Sequence, residues 1–216
     1  MKKVVTSTEA IDLINNGSSV MIGGFLECGV PDNLVNELIS RGTDNLTMIT
    51  NDTSFPTASK GKLIVNKQIK RVITSHIGTN PETGKQLNAG EIDVEIVPMG
   101  TLVERIRAAG SGLGGVLTPT GVGTIIEDGK QTLEIDGKKF ILDKPIKADF
   151  ALIYGTKVDK FGNVAFDGTT RNFNTVMATA ADTVIVEAEN FVECLEPNEV
   201  VIPGLFIDYI TINEEN

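Results

Sequence analysis

Short apolar runs alternate along this chain with segments whose apolar residues recur at helical spacing. Val20-Met21-Ile22 is an apolar run that stops at a glycine pair, as a buried parallel strand does. Pro31 then opens a segment with four apolar residues on one helical face and Gly42 just past its end. Further strands are predicted over 46–50, 71–75, 92–96, 150–153 and 183–186, and further helices over 7–14, 101–109 and 174–180. This alternation predicts an α/β fold, layered, with a mostly parallel sheet flanked by helices.

One segment departs from this alternation. Six glycines lie between Gly110 and Gly123, which predicts a long ordered loop. Residues 131–142 are then predicted to form a β-hairpin about Asp136-Gly137, a pair that two-residue type I′ turns favour. No low-complexity tract or linker divides the chain. Residues 1–216 are therefore predicted to form a single domain with a β-hairpin insertion.

The charge balance bears on possible partners. The chain has 19 Lys and Arg against 29 Asp and Glu, a net charge of −10. Nucleic-acid binding requires clustered positive charge, and the longest basic cluster, residues 67–71, is predicted to be a solvated helix end. No segment approaches the roughly 20 apolar residues of a membrane helix. Neither nucleic acid nor a membrane is an expected partner.

Cysteine and histidine usage bears on compartment and metal chemistry. Cys28 and Cys194 lie far apart and outside any Cys-x-x-Cys motif, which suits a reducing cytoplasm. The polar start of the chain lacks the apolar core of a signal peptide, so a cytoplasmic location is expected. The single histidine, His76, excludes a His-rich metal site. An oxygen-ligand Mg²⁺ site stays open in principle, but no Asp-rich loop points to one, and no metal is expected.

The segment between the strand at 20–22 and Pro31 is the first candidate site. Its residues are Gly23, Gly24, Phe25, Leu26, Glu27, Cys28 and Gly29. Open parallel sheets bind ligands beyond the carboxyl ends of their strands, and glycines let the backbone approach a ligand closely. The N–H groups of the following helix end suit an anion. Chemistry alone leaves two interpretations open: a ligand-binding loop, or a tight strand-to-helix turn without a ligand.

Three weaker candidates stand elsewhere. Asn51 follows the predicted strand 46–50, where its amide is placed to stabilise an oxyanion or to form a turn. Cys28 and His76 form a conceivable thiol–imidazole pair, but a small buried apolar role for Cys28 is favoured. Gly110–Gly115 satisfies the pattern G-x-G-x-x-G, yet it follows a predicted helix rather than a strand. A dinucleotide site there is therefore not favoured.

Residues 16–31, which read NGSSVMIGGFLECGVP, resemble the signature of the family I CoA-transferases. That signature is Asn or Asp before Gly, two variable residues, three aliphatic residues, Gly-Gly-Phe, three variable residues and Gly-x-Pro. Residues 100–107, 110–124, 171–174 and 186–189 are also similar to this family. The resemblance covers essentially the whole chain and is closest to the α (A) subunits.

The resemblance implies an enzyme that moves CoA between a short-chain acyl-CoA and a carboxylic acid, with acetoacetate, acetate and butyrate as participants. The family uses a ping-pong mechanism through a glutamyl-CoA thioester, so CoA or acyl-CoA is a substrate and no cofactor is permanently bound. The nucleophilic glutamate belongs to a Ser-Glu-Asn-Gly sequence of the β half. This chain lacks that sequence. Its most similar segment contains Glu189-Asn190, and Glu189 is not assigned the role of nucleophile. The implied partner is a β subunit in a heteromer, such as a dimer of heterodimers.

The resemblance also assigns site residues. The CoA-binding loop falls on Gly23–Gly29, and Asn51 falls where related enzymes position the substrate or an oxyanion. Met99 stands where several relatives, including ones that use succinate, have glutamine, so it is predicted to line a substrate pocket for a short apolar acid. Glu27, an acid near an expected polyanionic ligand, is predicted to point to solvent.

Two functions from other classes stay open. One is a non-catalytic ligand-binding or regulatory protein that has kept the fold. The other is a sugar-phosphate isomerase-like enzyme, which would need its own acid–base pair, and no motif for such a pair stands out.

Overall fold

The computed structural model describes residues 2–212, in which a large sheet lies between two layers of helices. The strands are β1 (Lys3–Val5), β2 (Ser19–Ile22), β3 (Leu46–Ile49), β4 (Ile69–Thr74), β5 (Asp93–Ile96), β6 (Val116–Thr118), β7 (Thr132–Ile135), β8 (Lys138–Asp143), β9 (Ala148–Asp159), β10 (Val164–Ala165), β11 (Ala181–Val192) and β12 (Tyr209–Ile212). The helices are α1 (Ser7–Ile11), α2 (Asp32–Arg41), α3 (Ser59–Val65), α4 (Pro81–Asn88), α5 (Met99–Gly110) and α6 (Asn174–Met177), with short 3₁₀ turns at Gly168–Arg171 and Gly204–Phe206.

The main sheet has the strand order β1-β12-β11-β9-β2-β3-β4-β5, with β10 paired to β9. Every pairing along this order is parallel, and β10 alone is antiparallel to its neighbour. From β2 the chain moves outward through β3, β4 and β5, whereas from β9 it moves the opposite way through β11 and β12. The crevice between β2 and β9 is therefore a topological switch point, where open α/β sheets bind ligands.

The residues of β2 show how the layers form. Val20 and Ile22 pack into the core that α1, α2 and α3 cover, and Met21 packs into the core on the opposite face, which α5 and α6 cover. All three side chains are buried, because a central parallel strand is covered on both faces. The prediction of a layered α/β fold with a mostly parallel sheet is confirmed.

The predicted hairpin insertion is present. β7 and β8 pair antiparallel around Asp136 (φ 52°) and Gly137 (φ 72°), and both residues lie in the left-handed region that a type I′ turn requires. β6, which the sequence did not predict, pairs with β8 to complete a small three-stranded sheet. Two left-handed residues in succession thus fix the hairpin locally.

Some local predictions need correction. The sequence did not predict α3, which is seven residues long and begins without a side-chain cap, or α4. The cluster at 67–71 is not a helix end, because it forms a turn after α3 and the start of β4, where Gln68 is buried. A capping box formed by Thr6 and Glu9 begins α1, within the helix predicted over 7–14. None of the helices within residues 2–212 is long and apolar enough to span a bilayer.

Candidate functional site

The loop 23–29 leaves β2 at the switch point and turns back into α2. The N–H of Gly23 donates to the carbonyl of Leu152 in β9 at 3.0 Å, so the loop begins while still joined to the sheet. Phe25 and Cys28 exchange two backbone hydrogen bonds of 3.0 Å each, which closes a turn over Leu26 and Glu27. The Glu27 side chain is exposed at the tip of this turn.

Two asparagine side chains, one just before α6 and one at its first position, clamp the loop. The amide oxygen of Asn172 accepts from the N–H of Gly24 at 3.1 Å, and its amide nitrogen donates to the carbonyl of Cys28 at 3.0 Å. The amide nitrogen of Asn174 donates to the carbonyl of Gly29 at 2.9 Å. The sequence marked this segment only by its family resemblance and gave these asparagines no role.

Glycine is required at two positions of the loop by close approach. A Cβ on Gly23 would lie 1.8 Å from the amide oxygen of Asn174, which also accepts from the N–H of Tyr154 at 3.1 Å. Gly29 has φ 67°, and a Cβ there would lie 2.5 Å from the carbonyl oxygen of Thr170. The glycines of the signature therefore serve the fit between the loop and the asparagine segment.

Asn51 follows β3 at the carboxyl edge of the sheet, and it is only 1% exposed. Its amide nitrogen donates to Oδ2 of Asp52 at 2.9 Å, and its amide oxygen accepts from the hydroxyl of Ser75 at 2.9 Å. The structure thus places the predicted asparagine inside the protein, with its amide bonded to neighbouring side chains.

Asp52 and Lys60 are buried at this site, and the sequence predicted a role for neither of them. Oδ2 of Asp52 accepts from the N–H of Leu26 at 2.9 Å, and Oδ1 lies 3.5 Å from Nζ of Lys60. Burial lowers the pKa of the Lys60 ammonium, and the charge of Asp52 opposes that effect. A position next to Asn51 at a strand end was an available signal for Asp52. No sequence signal pointed to Lys60, because α3, at seven residues, is too short to show a periodic pattern.

Glu187 of β11 supports the helix that follows the loop. Its side chain is buried, and Oε2 accepts from the N–H of Leu34 in the first turn of α2 at 2.9 Å. Burial raises the pKa of Glu187 to about 7, although hydrogen bonds from the N–H groups of Leu34 and Asn33 oppose the shift. The Glu187 carboxyl group, which accepts from the first turn of α2, therefore changes its charge near neutral pH.

Met99 is 43% exposed at the start of α5 and lines an open cavity of about 810 Å³. Val103, Leu117 and Phe173 add apolar surface to this cavity, and Glu104 adds a carboxylate. Phe173 stands between the two clamping asparagines in the sequence, so the cavity adjoins the segment that holds the loop. The structure thus places the predicted pocket residue in one cavity with Phe173, whose sequence neighbours hold the loop, although no loop residue lines that cavity.

The thiol of Cys28 lies 3.4 Å from the hydroxyl of Thr169, which is its side-chain partner among the described residues. His76 is exposed, and its backbone carbonyl accepts from the N–H of Thr53 at 3.2 Å. This arrangement gives no support to a Cys28–His76 nucleophile. Residues 2–212 also contain no group of three side chains placed to hold a metal ion.

Two further sequence candidates have clear structural positions. The Glu189 carboxylate accepts a hydrogen bond from the hydroxyl of Tyr154, and burial together with this bond raises the pKa of that tyrosine. Gly110–Gly115 connects the end of α5 to β6. It does not join a strand to a helix, as a dinucleotide-binding motif does.

A glycine-bearing loop clamped at the switch point of an open parallel sheet is the arrangement of the class of α/β proteins in which ligands bind at the carboxyl edge. A family model described as Coenzyme A transferase matches residues 4–213. The chain therefore belongs to the coenzyme A transferase family, as its signature predicted.

Individual relatives agree with this assignment. The chain is 52% identical over 210 residues to the acetoacetyl-CoA:acetate/butyrate CoA transferase alpha subunit of Clostridium acetobutylicum, with 96% of each chain covered. It is 48% identical over 216 residues to the acetate CoA-transferase subunit alpha of Escherichia coli, with 99% of this chain and 98% of that subunit covered.

A solved structure shows the same fold. The acyl-CoA transferase YdiF of E. coli O157:H7, solved as a thioester complex with CoA, superposes with a TM-score of 0.90 at 22% identity. The match covers 100% of this chain and 48% of YdiF, so the chain spans about half the length of that protein.

Gly23→Ala tests the close fit of the loop. Because the new methyl group would collide with the Asn174 amide, we expect the free energy of unfolding to fall by about 1–3 kcal/mol. Gly84→Ala is the matched control, since a Cβ at that position in α4 meets no atom within 4 Å. The control should gain about 0.5–1 kcal/mol from helix propensity. Equal effects in chemical unfolding of the two variants would contradict the predicted contact.

Glu187→Gln tests the raised pKa. The folded-state pKa of about 7 lies above the ordinary value of 4.5, so the stability linked to this proton is complete below pH 4.5 and is lost as pH rises through 7. The glutamine side chain has no ionisable proton and stays neutral across this pH range. Between pH 4.5 and 8 the wild-type chain should therefore lose up to about 3 kcal/mol relative to the variant. Unfolding curves across this pH range measure the difference, and parallel pH profiles would contradict it.

Proposed function

We propose that this chain is the α subunit of a heteromeric enzyme that moves CoA between a short-chain acyl-CoA and a carboxylic acid. Acetoacetate, acetate and butyrate are the proposed acids. The observation that carries the proposal is the signature loop 23–29, held by side chains at the switch point of the sheet. The names of the two α-subunit relatives supply the substrate class.

The proposed chemistry uses a glutamate of the β subunit. Its carboxylate attacks the acyl-CoA carbonyl, and CoA thiolate leaves to give an acyl-glutamyl anhydride. The thiolate then attacks the glutamyl carbonyl, which releases the first acid and forms a glutamyl-CoA thioester. The second acid regenerates the carboxylate by the reverse steps. This chain has no Ser-Glu-Asn-Gly sequence, which supports placing the nucleophile on a partner.

This chain's proposed contribution is to bind and place the substrate. The loop Gly23–Gly29 receives acyl-CoA, which is a substrate, and no permanently bound cofactor takes part. Asn51 positions the reacting groups from inside the protein, because its amide is bonded to Asp52, which in turn holds Leu26 of the loop.

Met99 and its cavity are proposed to hold the acyl group. The thioether and the apolar wall from Val103, Leu117 and Phe173 suit a short hydrocarbon chain. A second carboxylate, as in succinate, would find no amide at position 99 to bond with, and Glu104 would repel it. The preference expected is for butyrate over succinate.

The proposed assembly pairs this chain, acting as one domain, with a β subunit, for example in a dimer of heterodimers. The α-subunit names of the relatives and the twofold greater length of YdiF support a second polypeptide of similar size. A cytoplasmic location is proposed because Cys28 and Cys194 are both free thiols.

Acetoacetyl-CoA consumption with acetate or butyrate as acceptor tests the function. We expect activity from the chain co-expressed with its candidate β partner and none from the chain alone, because the nucleophile is on the partner. Replacing the partner's nucleophilic glutamate by alanine should abolish the activity. Activity from this chain alone would contradict the assignment and direct attention to Glu27, Glu189 and Cys28. If the assembled pair also shows no activity, a ligand-binding protein or a different pair of acids would be favoured.

Met99→Gln tests acid selectivity in the assembled enzyme. Adding an amide should raise the ratio of kcat/KM for succinate to that for butyrate by about two- to tenfold, the effect of one net hydrogen bond. Leu87→Gln, an equally polar change on the exposed side of α4, is the control and should leave the ratio unchanged. A wild-type enzyme that prefers succinate would contradict the proposed pocket.

A further inference from the structure

A lysine and an aspartate are buried together next to the loop 23–29. Lys60 is 0% exposed and Asp52 is 1% exposed, with 3.5 Å between Nζ and Oδ1. Taking two charges out of water is costly, and apolar residues of similar size often give equal or greater stability. The pair therefore calls for an explanation other than stability, and its hydrogen bonds supply one.

Lys60 connects the ends of two neighbouring strands. Besides Asp52, its ammonium lies 3.3 Å from the hydroxyl of Thr50, just after β3, and 3.5 Å from the carbonyl of Gly24, just after β2. These three acceptors match the three N–H groups of the ammonium. The buried charge is thus bonded on all sides, and one of its bonds goes directly to the loop.

The seating of α3 places this lysine inside the protein. A Cβ on Gly61 would lie only 1.8 Å from the carbonyl oxygen of Phe55, so α3 packs against the preceding segment at a distance that only glycine allows. The hydroxyl of Ser59 also donates to the Asp32 carboxylate of α2. These contacts fix the short helix that carries Lys60.

Asp52 holds the turn at the tip of the loop. Its Oδ2 accepts from the N–H of Leu26 at 2.9 Å, while Oδ1 accepts from the N–H of Ser54 at 2.9 Å. Leu26 has φ 51°, a left-handed conformation that a leucine rarely adopts. The hydrogen bond that the Leu26 N–H donates to the buried Asp52 carboxylate stabilises that conformation, and Lys60, 3.5 Å from the same carboxylate, helps to hold it in place.

This arrangement determines which donors the loop offers. Bonds described above occupy the N–H groups of Leu26 and of four other loop residues. The N–H groups of Glu27 and Gly29 have no acceptor within residues 2–212, so they are available to an oxygen of a ligand. A change in the Leu26 conformation would redirect the adjoining N–H of Glu27.

We propose that Lys60 and Asp52 are positioning residues for acyl-CoA: they hold the loop 23–29 in its receiving conformation without touching the substrate. This inference rests on the proposed CoA-transfer function. It assigns a role in catalysis to a buried ion pair that lies outside the signature sequence.

The test is the double variant Asp52→Ala/Lys60→Met in the full chain assembled with its β partner. Removing both charges together leaves no unpaired buried charge. We expect the kcat/KM for acetoacetyl-CoA to fall on the order of 10- to 100-fold, the range that follows from displacing a binding group by about 1 Å. The Leu26 amide should also exchange its hydrogen about tenfold faster or more, while amides of β9 and β11 keep their protection.

Glu95→Gln/Arg105→Met is the control, because it removes another partly buried ion pair, between β5 and α5. It should leave the acetoacetyl-CoA kcat/KM and Leu26 exchange unchanged. Equal losses in both double variants would overturn the inference in favour of a purely structural role, and so would an unchanged kcat/KM in Asp52→Ala/Lys60→Met.

Hydrogen exchange of the Leu26 amide in the wild-type chain tests the inference without any variant. A slowly exchanging Leu26 amide is expected, and a rapidly exchanging one overturns the inference even if the double variant does not fold. An assembled wild-type enzyme that transfers no CoA would refute the proposed function, and with it the substrate role of the pair. Protection at Leu26 would then still report whether the pair holds the loop.

Discussion

Val20 and Ile22 of β2 pair in register with Phe150 and Leu152 of β9, residues from the distant second half of the chain. This parallel pairing places the end of β2 beside the middle of a much longer strand. The sheet grows outward in opposite directions from these two strands, so the loop after β2 emerges in a crevice rather than on a flat face. The position of the loop at the candidate site follows from that pairing.

The loop is held from two sides by chemically different means. On the β9 side, neutral amides of Asn172 and Asn174 bind its carbonyl and N–H groups. On the β3 side, the charged pair of Asp52 and Lys60 binds the Leu26 N–H and the Gly24 carbonyl. Because buried polar groups must be satisfied, these partners hold the buried start of the loop, Gly23 and Gly24, and the turn that follows it in one conformation.

The chain's overall charge makes these local donors more important. A net charge of −10 repels an anionic ligand at long range, and Glu27 adds a carboxylate at the loop tip. Recognition of acyl-CoA by this chain would therefore depend on backbone N–H groups and on the apolar cavity beside Met99. Such contacts act at short range and would depend on the conformation of the loop.

Local sequence determined much of this protein. Apolar runs and helical spacing specified the α/β layers, Asp136-Gly137 specified the hairpin, and the signature at 16–31 located the loop and the family. The tertiary structure alone decided the strand order, the burial of Asn51, and the positions and contacts of Lys60 and the two asparagines. Those features depend on contacts between residues far apart in the chain, and neither residue type nor spacing encodes such contacts locally. A single lysine in a seven-residue helix resembles any surface lysine until the fold encloses it.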